Sequence, residues 1–292
     1  MPSLKTILLP TDFSPSAGSV APYATEIARH FQAKITLLHV LPPIDMAWTA
    51  LDDGGVLFDQ VLQNQRDLAR KQMDSFLSPE LSGFTVTRVL LEGDPAGAIV
   101  HYAHANDVSL IMMPTHGYGP FRQFILGSVT AKVLHDANCP VWTGAHIQET
   151  ASGVSAGVRT VVCAVDVTPE NAIALRWAAE FASEFEARLI VVHAIPAPDF
   201  NPGSYYIDAD RRQEIVAMAK SEVARMLSGY GPKEAGILVE YGSVPRVVSS
   251  TTKDQRADLL VIGRASPTGM FGRLRTNSYA IVRKSPCPVV SV

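Results

Sequence analysis

The chain has 292 residues, 47% of them hydrophobic and 18% charged, with a formal net charge of −3. That much apolar surface excludes disorder as the main state, and the length is near twice a typical domain of about 150 residues. No apolar run approaches the roughly 18 residues of a membrane helix, and Lys plus Arg (25) do not exceed Asp plus Glu (28), so neither a membrane span nor a nucleic-acid partner is expected.

In chain order, a strand over about 5–9 carries Thr6-Ile7-Leu8-Leu9-Pro10 and ends in Thr11-Asp12. Ser14-Pro15 follows, a capping hydroxyl before a proline, which predicts a helix start. Strands are predicted over 34–40, 84–91, 109–114 and 139–143, with a polar-faced helix near 58–77. Residues 143–158 are rich in Gly, Ser, Ala and Thr without apolar periodicity and read as a linker. The pattern then starts again. Strands are predicted over 159–165, 188–194, 236–241, 258–263 and 287–291, with a helix near 208–228. Thr168-Pro169 marks a further helix start, and that helix carries Ala174, Trp177, Ala178, Phe181, Ala182 and Phe185 on one stripe.

The restart is a true repeat. Thr6 to Asp12 matches Thr160 to Asp166, Ile35 to His39 matches Leu189 to His193, Leu110 to Met113 matches Leu259 to Ile262, and Cys139-Pro140-Val141 matches Cys287-Pro288-Val289. Order is kept at a nearly constant separation, so the chain reads as a duplicated domain, 1–142 and 159–292. Short Val/Ile/Leu runs alternating with longer amphipathic stretches imply βαβ units: an α/β fold with two doubly wound, five-stranded parallel sheets. In such sheets ligands sit outside the carboxyl ends of the strands, where strand order reverses. The chain opens Met-Pro-Ser-Leu-Lys with no basic segment before a long apolar one, so no secretory leader is expected. Three cysteines without a Cys-x-x-Cys make no disulfide framework, which points to a reducing compartment, the cytoplasm.

Asp12 ends the first strand and faces that crevice, where it can accept hydrogen bonds from sugar hydroxyls or simply cap backbone N–H groups. Met113-Pro114-Thr115-His116-Gly117-Tyr118-Gly119, then Gly127-Ser128 opening a helix, reads as an anion cradle. Glycine allows close backbone approach, and a helix N-terminus offers free N–H groups and positive partial charge. The structural alternative is a loop and a helix with Ser128 as its N-cap. His39 and His193 hold the same place in both repeats, which favours hydrogen-bonded structural histidines over ligands. His101 and His104 share a helix face but lack partners at metal-ligand spacing. No P-loop, dinucleotide fingerprint or nucleophile elbow is present.

Together these residues resemble a tandem universal stress protein, two such domains fused. The family's nucleotide motif, Gly-x2-Gly-x9-Gly-Ser/Thr, reads here Pro114-x2-Gly117-x9-Gly127-Ser128, and Pro10-Thr11-Asp12-Phe13-Ser14, Leu38-His39-Val40 and Val129 to Leu134 match as well. The resemblance implies strand order 3-2-1-4-5 in each half and final strands paired across a pseudo-two-fold, so that one chain mimics the family's homodimer, with a further homodimer as an option. It implies a stress-response protein binding ATP, or AMP or ADP, with Mg2+. Pro10, Thr11 and Asp12 would lie on the ribose or adenine side and Val40 would read adenine through its backbone. Gly117, Gly127, Ser128 and Val129 would hold the phosphates, with Met113 and Pro114 also in the binding site. Pro114 departs from the first motif glycine and removes one backbone donor.

The second half departs further. Asp166 and Gly263 survive, but Ser266 and Arg275 replace the other two motif glycines, with Arg264 and Arg273 nearby and Thr276 next in chain. Either these arginines occupy the phosphate position or bind a different anion, or the site has decayed into a solvated basic patch. Two other functions stay open. One is a non-nucleotide interaction or apolar-ligand module, using Met46, Trp48, Tyr205 and Tyr206 of the two loops that differ most. The other is a nucleotide-dependent enzyme, at most a slow ATPase, since no Walker lysine or general base is evident.

Overall fold

The computed structural model describes residues 4–43, 56–117, 126–144, 157–166, 172–196, 209–230, 234–264 and 276–292. The chain divides into two compact units, Ser3–Val141 and Trp142–Val292, and each repeat is described by itself.

The first repeat contains β1 (Thr6–Pro10), β2 (Lys34–Leu41), β3 (Val86–Glu92), β4 (Leu110–Pro114) and β5 (Val141–Gly144), in the order β3-β2-β1-β4-β5. Register runs in parallel from Thr6↔Lys34 to Pro10↔Leu38, from Ile35↔Val86 to Leu41↔Glu92, and through Ile7↔Leu110. Ile7, Leu8, Ile35, Leu37, Leu38, Leu110, Ile111 and Met112 are all fully buried, so the central strands are covered on both faces. This is why they read as continuous apolar runs rather than alternating ones.

The second repeat has the same order, β8-β7-β6-β9-β10, from β6 (Thr160–Ala164), β7 (Arg188–Ile195), β8 (Gly236–Tyr241), β9 (Leu259–Ile262) and β10 (Val289–Ser291). All ten predicted strands are present, with ends moved by at most two residues.

The helix expected at Ser14-Pro15 is broken in two. Ser14 caps α1 (Pro15–Gly18), its Oγ accepting from Ala17 N at 3.1 Å, and the chain then restarts as α2 (Ala21–Phe31). Pro22 is the cause: it has no N–H to donate to the Gly18 carbonyl, so the ladder cannot run through. The polar-faced helix is α3 (Val56–Ser75). Asp94 caps α4 (Pro95–Ala105), accepting from Gly97 N at 2.9 Å, and α5 (Ser128–Asp136) leads into β5.

In the second repeat α6 (Ala172–Glu184) buries Ala174, Trp177, Ala178, Phe181 and Ala182, with Trp177 stacked on Phe181 at 4.8 Å. Phe185, assigned to the same stripe, lies one residue past the helix end and is half-buried. Its companions are α7 (Ala209–Leu227), α8 (Val244–Asp254) and α9 (Thr276–Lys284). The Thr168-Pro169 cap, most of the 143–158 linker and both divergent loops with Met46, Trp48, Tyr205 and Tyr206 lie outside the described residues. Among the described residues no helix is long and apolar enough to cross a membrane. None of the three cysteines forms a disulfide.

Candidate functional site

Strand order reverses between β1 and β4, so the crevice at their carboxyl ends is where the first repeat can hold a ligand. Pro10 closes β1 and Thr11 is buried, its N–H donating to Leu38 O at 2.8 Å and its Oγ1 accepting from Phe13 N at 2.9 Å. Asp12 is exposed. Its Oδ1 accepts from Ser14 N at 3.0 Å and from Ser14 Oγ at 2.5 Å. The Ser14 hydroxyl therefore gives its proton to Asp12 and its lone pair to Ala17 N, and it is 1% exposed. It is a cap held by a carboxylate and has no access for nucleophilic chemistry. Asp12 has one oxygen in the turn and Oδ2 remaining toward the crevice.

Across the crevice, β4 delivers buried Met113 and half-buried Pro114. The Pro114 carbonyl accepts from Thr130 Oγ1 at 3.1 Å, and Gly127 N donates to Thr115 O at 2.8 Å. Both bonds lash the start of α5 to the exit of β4. The helix N-cap is Gly127, in extended backbone with no side-chain cap, and Ser128 is the first helical residue and exposed. The structural alternative of a Ser128 cap is thus not formed: Gly127 has no side chain to offer, and among the described residues no side chain caps the first-turn N–H groups of Ser128 and Val129.

The backbone also passes close by. A Cβ at Gly127 would be in ordinary contact with Thr115 O at 3.4 Å and His116 Cα at 3.6 Å. A Cβ at Gly117 would overlap Asp12 Oδ2. Through residues 115–117 the turn after β1 and the start of α5 thus become neighbours, which brings Asp12, Gly117 and Gly127 together. Tyr118 and Gly119 lie outside the described residues.

Val40 sits beyond the last rung between β1 and β2, Pro10↔Leu38. Leu38 O points at β1, and in a strand residues two apart point the same way, so the Val40 N–H and C=O face the same side past the end of β1. Its side chain is buried. His39 Nδ1 bonds Thr11 O at 2.7 Å, and His193 Nδ1 bonds Val165 O at 2.9 Å. Both are structural donors that brace the carboxyl end of the first strand of their repeat.

Sequence reasoning passed over Thr130, whose hydroxyl holds the cradle, and Asp94, which caps α4 and pairs with Lys132 of α5 at 2.9 Å. The hydrogen bond from Lys132 and that from Gly97 N hold the Asp94 carboxyl below its usual range, and the same pair raises Lys132. Sixteen and thirty-eight positions separate these partners, so no local pattern reveals them.

In the second repeat Asp166 follows β6 and is half-buried, and Gly263 and Arg264 follow β9. The Arg264 amide donates to Val292 O at 2.8 Å. Thr276 opens α9, and Arg275 and Arg273 lie outside the described residues. His101 and His104 are both exposed. Among the described residues no group of three His, Cys, Asp or Glu gathers to hold a metal ion.

The model of the Universal stress protein family matches residues 3–143 and again 157–292. A universal stress protein of Methanocaldococcus jannaschii is 30% identical over 137 residues, covering 47% of this chain and 79% of its own length. One from Mycolicibacterium smegmatis is 24% identical over 298 residues, 98% of this chain and 96% of its own. Among solved structures, a universal stress protein from Archaeoglobus fulgidus has the same fold at a TM-score of 0.67 and 20% identity, covering 99% of this chain and 96% of its own.

Proposed function

The chain belongs to the universal stress protein family, twice over, and from that premise we propose that its first domain binds an adenine nucleotide, ATP with AMP or ADP as close alternatives. The observation that carries the reading is the start of α5: a glycine N-cap without a side-chain cap, which turns the amides of Ser128 and Val129 into an anion site. Asp12 Oδ2 takes the ribose hydroxyls, Val40 reads adenine through its exposed backbone edge, and Gly117 and Gly127 let the phosphates approach. Pro114 contributes its carbonyl to Thr130 and no donor to the ligand, so the phosphates rest on fewer amides than the family motif supplies. Mg2+ enters with the phosphates, because it keeps most of its water shell and needs few protein ligands.

The second domain keeps Asp166 but not the cradle. Its Arg264 amide is already spent on Val292 O, and Arg275 stands where backbone would approach phosphate. Its role is structural, or it holds a different anion. The output is binding rather than turnover, with the Ser14 hydroxyl enclosed in a cap.

Calorimetry with ATP on the full chain tests this. Asp12→Ala and Gly127→Arg each abolish measurable binding, and Arg275→Ala leaves it unchanged. Wild-type affinity in Gly127→Arg would remove the site from the first domain.

A further inference from the structure

The residue after Asp12 is in an unusual conformation. Phe13 has φ +62°, in the left-handed region where a side chain with a Cβ is strained. Its neighbours account for it. The Phe13 ring lies on the His39 ring at 4.3 Å between centroids and meets the edge of Phe76 at 5.6 Å. Its N–H is held by Thr11 Oγ1 at 2.9 Å. His39 is itself pinned to Thr11 O at 2.7 Å. Phe76 follows α3 directly, its N–H on Gln72 O at 2.8 Å, and its carbonyl accepts from Arg88 Nη2 at 3.3 Å. The strained turn is thus clamped between β2 and the end of α3.

The clamp has a direct result at the crevice. Reversing the chain at Phe13 brings Ser14 N and Ser14 Oγ back onto Asp12 Oδ1, which fixes the carboxylate with Oδ2 against Gly117. Strain of this kind persists only where its surroundings over-determine it, and it concentrates at binding sites. The second repeat supplies a contrast. His193 makes the same bond to the carbonyl after β6, and the sequence has Val167 at the position that corresponds to Phe13, outside the described residues.

We propose that Phe13 is a positioning residue: held left-handed by the His39 and Phe76 rings, it orients the Asp12 carboxylate for the ribose of the nucleotide. The nucleotide part of this rests on the reading above; the orientation of Asp12 does not.

The test compares Phe13→Ala with Phe13→Gly in the full chain, with Phe13→Leu to fill the space and a thermal melt of each to verify folding. Alanine loses the rings and keeps the left-handed strain. Glycine loses the rings but takes φ +62° freely. Two readouts are used: the Ser14 amide proton resonance without ligand, and affinity for a fluorescent N-methylanthraniloyl-ATP. Alanine should move the Ser14 resonance toward that of a water-bonded amide and weaken binding about tenfold, the loss of one hydrogen bond to a charged group. Glycine should restore most of both. A merely structural ring would reverse the order, glycine being worse than alanine. Glycine no better than alanine, or alanine unchanged from wild type, overturns the proposal. If the wild-type chain takes up no nucleotide, the functional reading falls and the Ser14 resonance alone decides whether Phe13 positions Asp12.

Discussion

Replacing Thr130 by valine isolates the tie between β4 and α5. Thr130 is 4% exposed, and its Oγ1 donates to Pro114 O at 3.1 Å. Valine keeps the branching and roughly the volume but leaves the half-buried Pro114 carbonyl without this donor beside a buried methyl group. An orphaned buried acceptor costs about 1–3 kcal/mol. At roughly 2–4 °C per kcal/mol for a domain of this size, the first domain should melt about 2–12 °C earlier. Scanning calorimetry is the appropriate assay, because two domains need not unfold in one transition and the shift should fall on only one of them. Thr130→Ser retains the hydroxyl and should recover most of the loss. The reasoning fails if the valine variant melts with wild type, or if the serine variant falls as far, since the lost quantity would then be methyl packing.

Two further outcomes follow from the second repeat. Phe181 is fully buried between Trp177 and Phe185, with ring centroids 4.8 Å away on each side, so Phe181→Ala should destabilise that domain by about 3–5 kcal/mol in denaturant titration; a loss under about 1 kcal/mol would mean the site collapses around the void. Burial pushes the Cys163 and Cys287 thiols up to about 12, from 9.0 when unfolded. Folding therefore favours the protonated thiol: this stability is complete below pH 9 and is lost as pH rises from about 9 to about 12. Denaturant titrations in reductant should show a steeper alkaline loss for wild type than for Cys163→Ala, and parallel profiles would contradict the shift.

How far the sequence could be read depended on whether a feature is local. Apolar runs such as Leu110 to Met113 announce buried parallel strands because both faces need apolar cover, and duplication let each half check the other. The break between α1 and α2 was also written locally, in Pro22, but without a capping side chain before it the second start is easily read as part of one long helix. Ser128 as the cap was one of two readings the sequence left open, because serine is the better cap in isolation; the extended backbone of Gly127, its N–H on Thr115 O, puts the helix boundary one residue earlier. Thr130 on Pro114 and Lys132 on Asp94 depend on tertiary placement and have no local signature.

The duplication also separates what the fold needs from what the site needs. Both repeats place a histidine on the carbonyl after their first strand, at 2.7 and 2.9 Å. Both also put a left-handed glycine after the third strand, Gly93 at φ +134° and Gly242 at φ +154°. Features held by two halves with different motif residues serve the shared scaffold: closing the strand end and turning into the next helix. The first half alone has Phe13 in its clamp, Gly117 against Asp12 and Gly127 at the start of α5. Phe13 holds a left-handed φ, and the other two are glycines, which give up the most chain entropy on folding. The other copy has Val167, Ser266 and Arg275 at those places in its sequence, which supports the reading proposed above that puts the ligand site in the first copy.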